Sequence, residues 1–182
     1  MEGLKIENVV ASASIAEELN LWDIHEALDD SEYDPDNFPG LIYKLEEPNT
    51  SQLLFSSGKM VCTGGVTLEE PQESVEKVKR LLNENSIETA DEVEAEIQNI
   101  VASYNLNTDL NLNSVAISLG LERVEYEPEQ FPGLVYRLQG SPVVLLLFGS
   151  GRMVCTGGKN EEQLREGVEH VKDELNKAGL FS

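Results

Sequence analysis

Apolar residues along two stretches of this chain fall on both parities. Leu53, Phe55, Val61 and Thr63 share one set of alternate positions, and Leu54, Met60 and Cys62 take the other. Strand side chains point in turn to opposite faces of a sheet, so the pattern predicts strands that are apolar on both sides. Segments 41–45, 52–55 and 59–64 are rich in β-formers and are parted by the turn-forming EEPNTS and SSG. Segment 8–12 reads as an opening strand. Apolar residues every three or four positions predict helices over 21–28, at Val75, Val78 and Leu82, and at Leu164, Val168, Val171 and Leu175. Thr67 with Glu70, followed by Pro71, has the form of a capping box with proline in the first turn, and Asn160 with Gln163 offers a similar start.

The whole arrangement is written twice. Residues 38–65 and 131–158 are identical at 17 of 28 positions, ending in the same hexapeptide MVCTGG. IENVVAS at 6–12 answers IQNIVAS at 97–103, and VEKVKRLLN at 75–83 answers VEHVKDELN at 168–176. Each copy is therefore strand, short helix, several antiparallel strands, long helix, with repeat boundaries at 1–88 and 89–182 and an acidic junction over 86–96. The fold class is α+β, with helices on one face of a sheet. Two copies are too few for a solenoid and predict a pseudo-twofold molecule with a roughly twofold ligand.

The helices suffice to cover one sheet face. The other keeps Leu53, Phe55, Val61 and Thr63, with Leu146, Phe148, Val154 and Thr156 in the second copy, and an uncovered apolar face of this size marks an interaction surface. It could also be closed by a second molecule or by the other half. Asn8 and Asn99 share parity with Val10 and Val101, so each copy sets an amide as well as a threonine hydroxyl on this face. A dry core does not select four polar side chains by symmetry. Amides and hydroxyls in an apolar setting fit a DNA minor groove, whose edge at A·T pairs offers mainly acceptors.

Total charge opposes a nucleic-acid partner. Lys and Arg number 13 against 34 Asp and Glu, a net −21, whereas phosphate binding needs cations. The distribution of that charge favours one. The two 28-residue blocks hold four bases, Lys44, Lys59, Arg137 and Arg152, and only two acids, Glu46 and Glu47, so they are net +2 while the remainder carries −23. Acid is kept off one surface and gathered on another. Cys62 and Cys155 are repeat equivalents between apolar residues and read as buried thiols, not as metal ligands or a disulfide. His25 and His170 are not equivalents and read as solvent-facing. No run approaches the roughly 18 apolar residues of a membrane span, and MEGLKIEN lacks a secretory core. A soluble, intracellular chain is expected.

The motifs FPGLIYKL, LLFSSGKMVCTGG, FPGLVYRL and LLLFGSGRMVCTGG, the NVV and NIV opening strands and the long helix after each TGG resemble the TATA-box-binding protein family, over about 6–180. The resemblance implies a curved, saddle-shaped antiparallel sheet of ten strands with four helices on its convex face. It implies a general transcription initiation factor that binds the TATA box of promoter DNA in the minor groove. Phe38, Phe55, Phe131 and Phe148 would be the DNA-kinking wedges. Asn8, Val10, Leu53, Val61 and Thr63, with Asn99, Val101, Leu146, Val154 and Thr156, would be the groove contacts, and Lys44, Lys59, Arg137 and Arg152 the phosphate contacts. Glu127, Glu129 and Gln130 match the loop that meets initiation factor B, which brings in RNA polymerase.

The acidic Glu69, Glu70, Glu73 and Glu76 stand where eukaryotic members are basic. With no long N-terminal extension, the chain resembles an archaeal-type member, with a high-salt cytoplasm as one source of its acidity. The resemblance calls for no cofactor, no metal and no membrane, and leaves a homodimer of the free protein open. Neither SSGKM nor GSGRM fits a phosphate-cradling loop and no acid–base constellation is clustered, which excludes an enzyme. The rival reading is a protein-interaction module that uses the apolar sheet for a protein partner.

Overall fold

The structure, a computed structural model, describes residues 3–180. Nine strands and four helices follow the order β1 (Lys5–Ser14), α1 (Leu21–Ala27), β2 (Leu41–Leu45), β3 (Thr50–Leu54), β4 (Lys59–Gly65), α2 (Glu70–Glu84), β5 (Glu96–Asn105), α3 (Leu112–Leu119), β6 (Val124–Glu125), β7 (Leu134–Arg137), β8 (Val144–Leu147), β9 (Arg152–Gly158) and α4 (Glu161–Lys177). The chain forms two compact units, parted between Glu7 and Asn8 and again between Gln98 and Asn99. The first orders its strands β2-β3-β4-β1 and the second β5-β9-β8-β7-β6, with antiparallel ladders. No helix among the described residues is long and apolar enough to cross a membrane.

In each unit the two helices cover one sheet face. Leu21 and Ile24 of α1 and Val75, Val78 and Leu82 of α2 are buried with Ala13, Leu41, Leu54 and Met60. In the second unit Leu112 and Val115 of α3 and Leu164, Val168, Val171 and Leu175 of α4 are buried, as are Leu134, Leu145, Leu147 and Met153 of the strands. These are the parities that the alternation assigns to the covered side. Burying each such side chain contributes about 1.5–3 kcal/mol, which holds the helices to the sheet.

Nine strands form among the described residues, where the resemblance implies ten. At the tenth position stands a single bridge, Glu32 to Ile42. The repeat counterparts of Ser31 and Glu32 are Val124 and Glu125, which form β6. Ser31 is drawn back onto α1 instead: its N–H and its hydroxyl both donate to the Leu28 carbonyl, at 3.0 and 2.7 Å, and the hydroxyl lies 2.8 Å from His25 Nδ1. A residue folded over a helix end cannot also extend a ladder. In the second unit the edge continues with the Arg137 N–H donating to the Arg123 carbonyl at 3.4 Å.

Both expected caps form, reaching one residue further back than a standard box. The Gln163 N–H donates to Asn160 Oδ1 at 2.9 Å, and Gln163 Oε1 accepts from the Lys159 N–H at 2.8 Å. At α2 the Glu70 N–H donates to Thr67 Oγ1 at 3.2 Å and Glu70 Oε1 accepts from the Val66 N–H at 3.0 Å, while Glu69, not Thr67, occupies the N-cap. Pro71 lies in the first turn, as the sequence predicts.

The two cores differ in chemistry. Under α2 the first unit buries Thr50, Gln52 and Ser74. Thr50 Oγ1 lies 2.7 Å from Ser74 Oγ, Gln52 Nε2 donates to Thr50 Oγ1 at 2.6 Å, and Ser74 Oγ donates to the Glu70 carbonyl at 2.9 Å. Gln52 Oε1 is buried with no hydrogen-bond partner among the described residues. The repeat counterparts are Val143, Leu145 and Gly167, a dry contact in which a Cβ on Gly167 would come within 3.1 Å of Val143 Cγ1.

Candidate nucleic-acid interface

The sheet face away from the helices stays open in each unit. Leu53, Phe55, Val61 and Thr63 are half-buried, as are Leu146, Phe148, Val154 and Thr156, while Leu54, Met60, Cys62, Leu145, Leu147, Met153 and Cys155 between them are buried. Asn8 and Val10 lie on the half-buried parity of β1, and Asn99 and Val101 on that of β5. Register joins them into rows. Ile42, Leu53, Val61 and Ser12 stand side by side across the first sheet, and Val135, Leu146, Val154 and Ser103 across the second. A second row runs Lys44, Ser51, Thr63 in one unit and Arg137, Val144, Thr156 in the other. Ile42, Ser51, Val135 and Val144 also stand on this face, and cross-strand register sets them beside the residues that the sequence names.

The asparagines are held by irregular backbone. The ladder shifts register between Val9 and Ala11 and again between Ile100 and Ala102, next to Gly64 and Gly157, whose φ of +94° and +92° suits glycine. Asn8 Oδ1 accepts from the Gly64 N–H at 2.7 Å, and Asn99 Oδ1 from the Gly157 N–H at 2.8 Å. Since the oxygen must meet the backbone donor, the amide orientation is fixed and the NH2 group becomes the free end. In the second unit this group also donates to Thr156 Oγ1 at 3.1 Å, while that of Asn8 has no protein partner among the described residues.

The four phenylalanines form two matched pairs. Phe38 and Phe55 have ring centroids 6.0 Å apart at 66°, and Phe131 and Phe148 5.9 Å apart at 67°, edge to face in both. Phe38 and Phe131 expose 38% and 41% of their surface. The glycine of each FPG makes room for the pair: a Cβ on Gly133 would lie 2.7 Å from Phe131 Cε2 and 2.9 Å from Phe148 Cε1, with almost the same geometry at Gly40. The turns leading to the exposed rings also match. The Phe38 N–H donates to the Asp34 carbonyl and the Phe131 N–H to the Glu127 carbonyl, both at 3.0 Å. Glu127, Glu129 and Gln130 are exposed in this second turn.

Lys44, Lys59, Arg137 and Arg152 are exposed on the open-face parity of their strands. The second pair is not free of acid. Arg137 lies 3.6 Å from Glu125 and Arg152 3.9 Å from Glu7, whereas neither lysine forms an ion pair with a described residue. Both acids fall outside the charge-poor blocks, so counting charge within the blocks cannot find them.

Cys62 and Cys155 are free and buried; burial pushes the Cys62 thiol up and that of Cys155 to about 12. Neither thiol ionises near neutral pH, which leaves both as small apolar groups. The histidines, expected to face solvent, are half-buried and bonded. His25 meets Ser31, and His170 stacks on Tyr136 at an interplanar 7° with Nε2 3.0 Å from the phenol oxygen.

A duplicated α+β chain, with one sheet face of each copy left open and furnished with fixed amides, hydroxyls, paired aromatics and edge cations, defines a two-repeat class of fold. The family described as "Transcription factor TFIID (or TATA-binding protein, TBP)" matches residues 3–85 and 94–178. The TATA-box-binding protein of Archaeoglobus fulgidus is 52% identical over 178 residues, 98% of this chain and 97% of the relative. That of Thermoplasma acidophilum is 54% identical over 180 residues, 99% and 98% of the two chains, and that of Haloarcula marismortui 48% over 180 residues, 99% and 97%. The solved structure described as "Methanococcus jannaschii TBP" superposes with a TM-score of 0.87 at 41% identity, covering 96% of this chain and 98% of that one. The chain belongs to the TATA-box-binding protein family.

Proposed function

We propose that the open sheet face binds A·T-rich promoter DNA along its minor groove, and that the protein serves as a general transcription initiation factor at TATA boxes. The observation that carries this is the doubled constellation itself: in each unit one face sets a fixed amide donor, a threonine, an apolar row, an aromatic pair and cations in the same register. Amide NH2 groups suit the acceptor edge of A·T pairs and meet a donor at G·C. Kinking by inserted apolar side chains is the known behaviour of this family, and Phe38 with Phe55 and Phe131 with Phe148 are the wedges here. Unstacking a step costs a few kcal/mol. Each phenylalanine buried returns about 1.5–3 kcal/mol, so a pair about balances one kink. Deformable TA steps are then the favoured entry points.

The deciding experiment is an isotherm for an end-labelled TATA duplex beside a G·C-rich control, with energy transfer between the ends reporting the bend. Tight binding and bending of the TATA duplex alone is expected. Equal affinity for the control, or binding of neither, refutes the reading in favour of a protein partner.

Repeating the isotherm from about 0.1 to 2 M potassium chloride separates local from remote charge. Four neutralised phosphates alone would give a log–log slope of about −3.6. Two of the four cations already face carboxylates, and −23 charges lie outside the two blocks. With a Debye length of ~10 Å at 0.1 M and ~3 Å at 1 M, salt screens remote repulsion before it weakens close contacts. The expected slope is much shallower than −3.6, with useful affinity at molar salt; a slope at or beyond −3.6 contradicts it.

The exposed turn that leads into Phe131 is the proposed contact for initiation factor B, and through it for RNA polymerase. Glu127→Lys with Glu129→Lys should leave DNA binding intact or slightly tighter and should impair recruitment of the factor. A gel shift with and without the factor reads both effects, and a normal ternary complex would rule out this contact.

A further inference from the structure

The first unit carries an aromatic cluster that the open face does not use. Trp22 of α1 is 57% exposed, although a large aromatic side chain is ordinarily well buried. Its ring centroid lies 4.8 Å from that of Tyr33 and 6.4 Å from that of His25, and His25 and Tyr33 are 6.4 Å apart, each pair edge to face. The cluster is held in place from beneath. Leu21 and Ile24 anchor α1 in the core, and His25 Nδ1 meets Ser31 Oγ, which donates to the Leu28 carbonyl. Three rings are thus set on one another, with the indole open to solvent.

Charge along the segment that carries the cluster has one sign. Residues 22–36 hold seven Asp and Glu and no Lys or Arg, and none of the seven forms an ion pair with a described residue. Glu26 stands one helical turn from Trp22, and Asp29 follows His25 by the same interval. The repeat does not supply this feature, because Asn113 and Ala116 occupy the corresponding places in the second copy and only Tyr126 remains. An aromatic face carried on so acidic a segment attracts a cation, repels nucleic acid, and would bury unpaired charge under a purely apolar partner.

We propose that the Trp22–His25–Tyr33 cluster is a docking site for an arginine-bearing basic segment of a partner protein. Arginine fits better than lysine: its planar guanidinium can lie on the indole while its N–H fork reaches the carboxylates, whereas the ammonium is compact and strongly hydrated. The site lies on the helix-covered side of its unit, opposite Asn8, Val61 and Thr63, so a docked segment leaves the open sheet face free. The inference does not depend on what that face binds.

Trp22 is the chain's single tryptophan, so its fluorescence reports this site alone. The full-length protein is titrated, at about 0.15 M salt, with a short capped peptide of alternating glycine and arginine and with its lysine and glutamate counterparts. Saturable change with the arginine peptide, about fivefold weaker binding of the lysine peptide and none of the glutamate peptide are expected. Trp22→Ala and Trp22→Leu, followed by anisotropy of labelled peptide, should bring the arginine peptide down to the lysine level with thermal unfolding unchanged. Leucine keeps apolar bulk and lacks a π face, which separates stacking from mere burial. Equal affinity for arginine and lysine peptides, or undiminished binding by both variants, would show attraction by net charge alone and overturn the proposal.

Discussion

Replacing Phe131 and Phe148 together by alanine is expected to abolish one of the two kinks in bound TATA DNA and to weaken binding, by at most about two to four orders of magnitude. Two rings at about 1.5–3 kcal/mol each amount to roughly 3–6 kcal/mol, at about 1.4 kcal/mol per tenfold, which is the upper limit of the loss because a step that stays stacked recovers its unstacking cost. The ring centroids lie 5.9 Å apart, edge to face, so loss of one leaves the other without that support, and each single substitution should cost less than the pair but more than half of it. Arg137 and Arg152 remain, hence residual binding should persist with a smaller bend. Energy transfer between duplex ends and an isotherm at fixed salt measure both. A double variant that bends DNA like wild type would remove the phenylalanines from the mechanism.

The second large effect is on stability. Gly151 has φ +91°, and its N–H donates to the Phe148 carbonyl at 2.9 Å while its own carbonyl accepts from the Leu106 N–H at 2.9 Å. A Cβ there would collide with the Thr108 carbonyl oxygen, which is backbone and cannot turn aside. Left-handed strain of about 1–2 kcal/mol adds to the displacement of a paired loop. Gly151→Ala should therefore lower stability by several kcal/mol, a large part of the ~5–15 kcal/mol typical of a folded protein. Gly140→Ala is the control: φ is +76°, with nothing within 4 Å of the new carbon. Calorimetric unfolding should show a far larger drop for Gly151→Ala; equal drops would mean that strain alone, not the close approach, sets the cost.

Much of the binding face is legible in the sequence, because strand alternation is a local property. The parity of Leu53, Val61 and Thr63, and of Leu146, Val154 and Thr156, follows from counting by twos, and duplication supplies an internal check. What escapes a reading of the sequence depends on residues far apart in the chain. Glu7 reaches Arg152 and Glu125 reaches Arg137 through sheet register. Thr50 has turn-forming neighbours in sequence yet opens β3, with its partner Ser74 on α2. The tenth strand shrinks to a bridge because Ser31 bonds locally to Leu28, a competition that short polar side chains often win against a ladder. Helical spacing alone points His170 to solvent, since it does not reveal Tyr136 beneath the ring.

The polar contact under α2 and the dry one under α4 also bear on how a chain with two near-copies assembles. Tandem repeats are prone to misassembly, in which an element of one copy docks on the other. Here each long helix is keyed to its own sheet. On the second sheet, Ser74 would set its hydroxyl against Val143 and Leu145 and lose Thr50. On the first, Gly167 would leave Thr50 and Gln52 without the hydroxyl that completes their chain. The first exchange sets a hydroxyl against apolar side chains while Ser74 keeps its bond to the Glu70 carbonyl, and the second strands the buried Thr50 hydroxyl, at about 1–3 kcal/mol for an unsatisfied group. Divergence of three core positions thus discriminates against the swapped pairing that the duplicated surface would otherwise permit.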